Sequence, residues 1–242
     1  MIVLATDFGL AGPYTGQVKA VLHQLAPAVP VIDLFADLPA ANPKPAAYLL
    51  AAYGSWFPPG TVLLAVVDPG VGSPRAAIVI EADRRLYVGP DNGLFELVMR
   101  RADAVRASEI VWRPTRLSAS FHGRDLFAPA AAWLALGRLP ADALREAAVT
   151  RFADWPDDLP EIVYIDGYGN ALTGLRAALL PAAAELTAGG HRLTRARTFS
   201  DAPPGTAFWY ENSNGLAEIA ANGSRADRLL GLSIGAPVAM LP

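Results

Sequence analysis

Through the first 136 residues, short β-branched runs alternate with Ala- and Leu-rich stretches of helical length. That alternation is what βαβ units stacked on a mainly parallel sheet require, and it constrains the fold more than any other feature of the chain. Strands are predicted at Ile2–Thr6, Val29–Asp33, Val62–Val67, Ala76–Glu81 and Leu86–Val88, with helices near Tyr14–Leu25, Pro45–Trp56, Gly93–Arg101 and Asp125–Leu136. The pattern then stops. RFADWPDDLP, residues 151–160, gathers acids and prolines without periodicity and reads as a linker. Beyond it, Glu161–Ile165, Asn170–Leu175, Ala207–Tyr210, Ala217–Ala220 and Pro237–Leu241 are short runs separated by Gly, Asn and Pro, as in a small β-sandwich or barrel. Arg176–Leu186 is the one helix-like stretch there. The expectation is an α/β domain over residues 1–150, a linker over 151–160, and a smaller β-barrel-like domain over 161–242.

The 242-residue length suits one large core plus a smaller module. With 52% hydrophobic and 18% charged residues the chain has the composition of a packed globular protein and not of a disordered one. No apolar run approaches the ~18 residues of a membrane span, because Pro and Gly interrupt each candidate. MIVLATDFG lacks a basic leader and reads as a buried strand, so a cytoplasmic location is expected. Zero Cys excludes thiol nucleophiles, disulfides and thiolate metal sites. His23, His122 and His191 are far apart, which argues against a histidine-rich metal site and leaves a carboxylate-held ion open, and neither Lys19 nor Lys44 sits in a phosphate-loop context; no cofactor is implied. A net charge of −3 argues against a nucleic-acid partner and for a small molecule.

Ligands of open α/β sheets gather beyond the carboxyl ends of the strands, where polar loops stand over an apolar base. Asp7, Asp33, Asp68, Asp91 and Asp166 each follow a predicted strand run; any one could be turn chemistry, but five together point to a site. VVDPGVGSPR carries Gly70-Val71-Gly72 yet leads into the strand AAIVIEA, which excludes a dinucleotide fingerprint. A tight loop between two strands would bring Asp68 and Arg75 together, either as a structural salt bridge or as working residues. His122 stands before a helix, between Phe121 and Gly123, with Asp125 as an acid at the helix start. Asp91-Asn92-Gly93 reads as a turn into a helix. IDGYGNALTG and ENSNGLAEIAANGS are polar loops fit either for hairpin turns or for hydrogen-bonding an amino acid or nucleobase.

Taken together, TDFG (6–9), VVDPGVG (66–72) with Arg75, GPDNGL (89–94), FHGRDLFAPAAA (121–132), IDGYGN (165–170) and NSNG (212–215) resemble the S-adenosyl-L-methionine (SAM) hydrolases. These are also called SAM hydroxide adenosyltransferases and are relatives of the SAM-dependent halogenases. The resemblance runs in order along nearly the whole chain. It implies a homotrimer with sites between the N-domain of one subunit and the C-domain of the next, and a catalytic set of Asp68, Arg75 and His122 that orients the attacking water. The substrate-binding residues it implies are Asp7, Phe8, Tyr14, Phe121, Asp166, Asn170, Ser213, Asn214, Glu218, Asn222 and Gly223. Among these, Asp7 would grip the ribose, Asp166 the methionine ammonium, Asn170 the adenine edge and Ser213 the carboxylate, while Asn222 and Gly223 present backbone to adenine. Asn214 stands where some relatives have Arg. The FHG segment departs from the halogenases and matches the hydrolase branch.

The reaction so implied is attack of water or hydroxide at the ribose C5′ of SAM, releasing adenosine and L-methionine. An anionic nucleophile meeting a sulfonium cancels charge, which a dry site favours. Arg75 would stabilise the anion, with Asp68 or His122 taking the proton. Two other functions stay open at this point: a SAM-dependent halogenase, and a non-catalytic SAM- or adenosine-binding module.

Overall fold

The computed structural model describes residues 1–241. It divides into two compact units, Met1–Phe152 and Ala153–Pro242.

In the first unit the order is β1 (Ile2–Thr6), α1 (Tyr14–Leu25), β2 (Val31–Phe35), α2 (Pro43–Tyr53), β3 (Val62–Val66), β4 (Ala77–Ala82), β5 (Arg85–Pro90), α3 (Glu96–Arg101), β6 (Val105–Ile110), α4 (Ala128–Leu136) and β7 (Leu144–Glu146). The seven strands form one sheet in the order β2-β1-β3-β5-β4-β6-β7. β2, β1, β3 and β5 pair in parallel, β4 and β7 run against their neighbours, and so five of the seven strands point one way. This is the mainly parallel α/β sheet that the alternating runs predict. β1 and β3 are buried along their whole length, as strands covered on both faces must be. Ile2, Leu4, Val62 and Leu64 pack on one face with Val18 and Leu22 of α1 and the alanines of α4; α2 and α3 pack against each other as a second helical pair.

Element boundaries differ from expectation where proline or glycine intervenes. β2 begins at Val31 instead of Val29 because Pro30 precedes it, which moves Asp33 from the strand end to mid-strand. There Asp33 binds Lys19 at 2.9 Å on the surface, away from any site. α3 starts at Glu96, since Gly93 takes a left-handed turn first (φ 94°). α4 starts at Ala128, after a π-helical turn at Gly123–Phe127.

The second unit contains β8 (Leu159–Ile165), β9 (Ala171–Arg176), β10 (Leu186–Ala188), β11 (His191–Leu193), β12 (Ala207–Glu211), β13 (Leu216–Ala221), α5 (Ala226–Leu230) and β14 (Val238–Met240). Two antiparallel sheets, β12-β13-β9-β8 and β11-β10-β14, enclose a core built on Trp209, Ile219, Leu186 and Val238. The helix-like stretch Arg176–Leu186 is not a helix. A single 3₁₀ turn, Ala177–Leu179, ends before Pro181, whose missing N–H and restriction on Leu180 (ψ 140°) stop propagation. Among the described residues no helix is long and apolar enough to cross a membrane.

Candidate active site

From β1 the chain moves to β2 on one side and returns to β3 on the other, so the crevice beyond the carboxyl ends of β1 and β3 is a topological switch point. Two acids emerge there, Asp7 directly after β1 and Asp68 two residues after β3. β4 lies on the far side of β5, so the loop from Asp68 to Arg75 must cross the end of β5 to reach it. That crossing turns the loop back on itself. Arg75 Nε donates to Asp68 Oδ1 at 2.9 Å and Nη2 donates to Oδ2, a bidentate pair in which Arg75 is 10% and Asp68 5% exposed. The guanidinium lies over the Phe127 ring, 5.2 Å from its centroid, and Nη1 donates to the Ala76 carbonyl. Asn92, in the turn after β5, donates to the Val67 carbonyl at 2.8 Å and ties the residue before Asp68 to the neighbouring strand.

His122 enters from a segment 47 residues away, at the head of the π-helical turn. Its Nδ1 lies 3.2 Å from Arg75 Nη2. A guanidinium has no acceptor, so Nδ1 receives this hydrogen bond and the neutral ring carries its proton on Nε2. Burial, reinforced by the Arg75 charge, lowers the His122 pKa and keeps the ring neutral. The turn itself is fixed by Asp125, which accepts from the Ser118 N–H at 2.9 Å and binds Arg124. Gly123 permits the close approach, since a Cβ there would meet the Phe8 ring at 3.0 Å.

Asp7, Phe8, Asp68, Phe121 and His122 line one cavity of about 110 Å³. Phe8, Tyr14 and Phe121 meet edge to face or tilted, with centroids 5.3 to 6.3 Å apart, and give the site an apolar wall. Asp7 accepts from the Ala41 N–H at 2.9 Å, and Ala41 holds an unusual left-handed φ of 52° to deliver it. Burial raises the Asp7 pKa against that hydrogen bond, and the nearby Asp68 adds to the rise. If Asp7 holds the ligand as a carboxylate, KM of the native enzyme should climb as pH falls, starting above the usual carboxylate range. Asp7→Asn should raise KM at neutral pH, leave kcat comparatively intact and abolish that pH dependence; an unchanged KM would remove Asp7 from binding.

Asp91 does not join this set. Its carboxylate accepts from Thr150 N and Oγ1, at 3.0 and 2.9 Å, and serves to tether the end of the unit.

In the second unit, strand register places Asp166, Asn170, Glu218 and Tyr210 on one face of the four-stranded sheet. Asp166 Oδ1 accepts from the Tyr168 and Asn170 N–H groups, and Oδ2 accepts from Asn170 Nδ2 at 3.0 Å. Glu218, 5% exposed, spends both oxygens on Tyr210 Oη at 2.6 Å and Asn212 Nδ2 at 3.0 Å. Burial raises its pKa against those bonds. Ser213 and Asn214 form the turn before β13, with Asn214 Nδ2 donating to Ser213 Oγ at 3.1 Å. Asn222 and Gly223 follow β13 at its other end, and Asn222 Nδ2 is committed to the Ala202 carbonyl at 2.7 Å. Ala41 and Tyr210 escape sequence reasoning, while Asn92 and Asn212 stand inside GPDNGL and NSNG without a role assigned to either. Tyr168, 82% exposed between Asp166 and Asn170, is a further aromatic in that loop.

An α/β unit with a largely buried Asp–Arg pair and a half-buried His at its switch point, followed by an antiparallel unit rich in Asp, Asn and Glu, has the make-up of a small-molecule enzyme. Comparison with known proteins makes this specific: the chain belongs to the SAM hydroxide adenosyltransferase family, matching its N-terminal domain over residues 2–144 and its C-terminal domain over 160–239. It is 42% identical to the (R)-S-adenosyl-L-methionine hydrolase of Thermus thermophilus, covering 99% of both chains. It is 38% identical to the protein of the same name from Salinispora arenicola, over 97% of this chain and 95% of that one. A crystal structure of an uncharacterized conserved protein from Thermotoga maritima superposes with a TM-score of 0.89 at 29% identity, covering 100% of both chains.

Proposed function

We propose that this chain hydrolyses SAM to adenosine and L-methionine by attack of an oxygen nucleophile at the ribose C5′. The observation that carries the mechanism is the buried bidentate Asp68–Arg75 pair with His122 Nδ1 on the same guanidinium. Arg75 can only donate, and the His122 Nδ1 lone pair is already engaged, so the ring offers an Nε2 N–H donor to a ligand. Asp68 retains free lone pairs and is the group able to accept a proton from water. In the step, the O–C5′ bond forms, the C5′–S bond breaks with its electron pair passing to sulfur, and one water proton goes to Asp68 or to solvent. The carboxylates of Asp7 and Asp68 and the aromatic wall suit a sulfonium cation.

The residue roles in binding are part of the same proposal. Asp7 holds the ribose, Asp166 the ammonium, Asn170 the adenine edge and Ser213, beside Asn214, the carboxylate, while Asn222 and Gly223 present backbone to adenine. Glu218 acts through Tyr210 and Asn212, because both its oxygens are already bonded. The net charge of −3 supports a small-molecule ligand over nucleic acid.

Purified protein should convert SAM to adenosine and methionine without added metal or halide, and in ¹⁸O water the label should appear in the adenosine 5′-hydroxyl. Both sulfonium epimers belong in the assay, since the relatives' name specifies the (R) form. Binding without turnover would make the chain a binding module, and turnover only with halide would make it a halogenase. A homotrimer in the cytoplasm, where SAM is made and consumed, completes the proposal; light scattering should show an oligomer at assay concentration, and an active monomer would contradict it.

A further inference from the structure

Asp68 and Arg75 stand near the two ends of the loop between β3 and β4. Pro69 and Pro74 stiffen that loop just inside the pair, so a shift at either end is carried to the carboxylate or the guanidinium. The turn after β5, GPDNGL at 89–94, reaches both ends. At the first, the pairing of β3 with β5 runs from Val62 to Leu64 and stops short of Val67, a fully buried residue whose carbonyl needs a partner. Asn92 supplies it, with Nδ2 donating to the Val67 carbonyl at 2.8 Å, while Oδ1 accepts from the Leu94 N–H at 3.3 Å and orients the amide. At the second end, the Asp91 N–H donates to the Ala76 carbonyl at 3.0 Å, and the same oxygen accepts from Arg75 Nη1 at 3.2 Å. One carbonyl thus joins the turn to the guanidinium. Gly89 permits the approach of β5 to β3, since a Cβ there would collide with the Ala65 carbonyl.

We propose, resting on the hydrolase reading, that the 89–94 turn is a clasp on the Asp68–Arg75 loop and that Asn92 is the positioning residue that sets the Asp68 carboxylate for catalysis. Asn92 acts through the Val67 carbonyl. Without that bond the residue before Asp68 is free to move, and Asp68 then leaves the geometry in which two Arg75 N–H groups meet it. Arg75 Nη2 in turn leaves His122 Nδ1. A displacement of about 1 Å is enough to slow a preorganised step severely. Binding should survive it, because Asp7 follows β1 and has its own partner in the Ala41 N–H. A plain turn residue would behave otherwise: Asp-Asn-Gly is common turn chemistry, and Ser can serve such a turn through its own oxygen.

The test compares the full-length native chain with Asn92→Ser, which keeps a turn-forming oxygen but is too short to reach Val67, and Asn92→Ala, which keeps neither function. kcat and KM for SAM are taken per folded molecule, well below each melting temperature. Both variants should lose about tenfold in kcat with KM within about twofold of native. In an Asp68→Ala background, Asn92→Ser should change kcat by less than about twofold, because the group it positions is gone. Imidazole NMR adds a readout that needs no turnover. The His122 signals, assigned by their loss in His122→Asn, should move in Asn92→Ser while those of His23 and His191 stay. If the native chain does not turn over SAM, the hydrolase reading falls, and the His122 signals alone decide whether the clasp exists. Native kcat in Asn92→Ser, equal losses of kcat with and without Asp68, or unmoved His122 signals would each reduce Asn92 to a turn residue and overturn the proposal.

Discussion

Asp68→Ala, Arg75→Ala and His122→Ala should each lower kcat by about 10²-fold or more per folded molecule, while KM for SAM changes little. The geometry explains why their losses should not add. Arg75 is the hub, holding Asp68 through two hydrogen bonds and His122 Nδ1 through a third contact. Removing either partner frees the guanidinium to rotate, so Asp68→Ala/His122→Ala should be little worse than the poorer single variant. Arg75→Lys should recover little, because an ammonium cannot span the two carboxylate oxygens and the imidazole at once. The pair is nearly buried, so Asp68→Ala also strands a charge and should reduce stability by a few kcal/mol. Rates are therefore compared per folded molecule at a temperature well below each variant's melting point. A lowered melting temperature with near-native turnover would make the set a structural bridge and retire the mechanism.

How far the site was legible in the sequence follows from where each contact partner lies. Asp68 and Arg75 are seven residues apart in a Gly- and Pro-rich loop, and their meeting is predictable from the loop alone. His122 was identifiable as a candidate, but its use of Nδ1 toward Arg75 depends on a sheet crossing that no local pattern encodes. Asp33 and Asp91 show the opposite failure. Pro30 shifted one strand by two residues, and Thr150 claims Asp91 from 59 residues away. Strands such as β7, β10 and β11 are three residues long, too short for a period of two to register. The antiparallel sheet of the second unit was visible as turns between short runs, yet the common face of Asp166, Asn170, Glu218 and Tyr210 appears only when register is known.

Glu96 gives the second large expected effect. It opens α3 with 1% exposure and binds Arg100 at 2.8 Å, one helical turn on, and Arg151 at 2.9 Å from 55 residues away; Oε2 also accepts from the Phe152 N–H. Burial alone would raise its pKa. The hydrogen bonds from Arg151 and Arg100 outweigh burial and bring it from an ordinary 4.5 down to about 2. A carboxylate whose folded pKa is depressed contributes stability that is fully present above pH 4.5 and is lost as pH falls toward 2. Allowing for the exposed side of Arg151, that contribution is on the order of 2 kcal/mol. Glu96→Ala takes the carboxylate partner from Arg100, which still donates to the Phe152 carbonyl, and loosens the Arg151–Phe152 segment; it should cost about 3 kcal/mol and lower the melting temperature by roughly 5–10 °C at neutral pH. Glu96→Gln keeps the shape and part of the hydrogen bonding and should lie between the two. The discriminating measurement is the pH dependence: native protein should lose stability between pH 4.5 and 2 more steeply than either variant. Parallel acid-denaturation curves for all three would mean that this buried carboxylate does not couple protonation to folding.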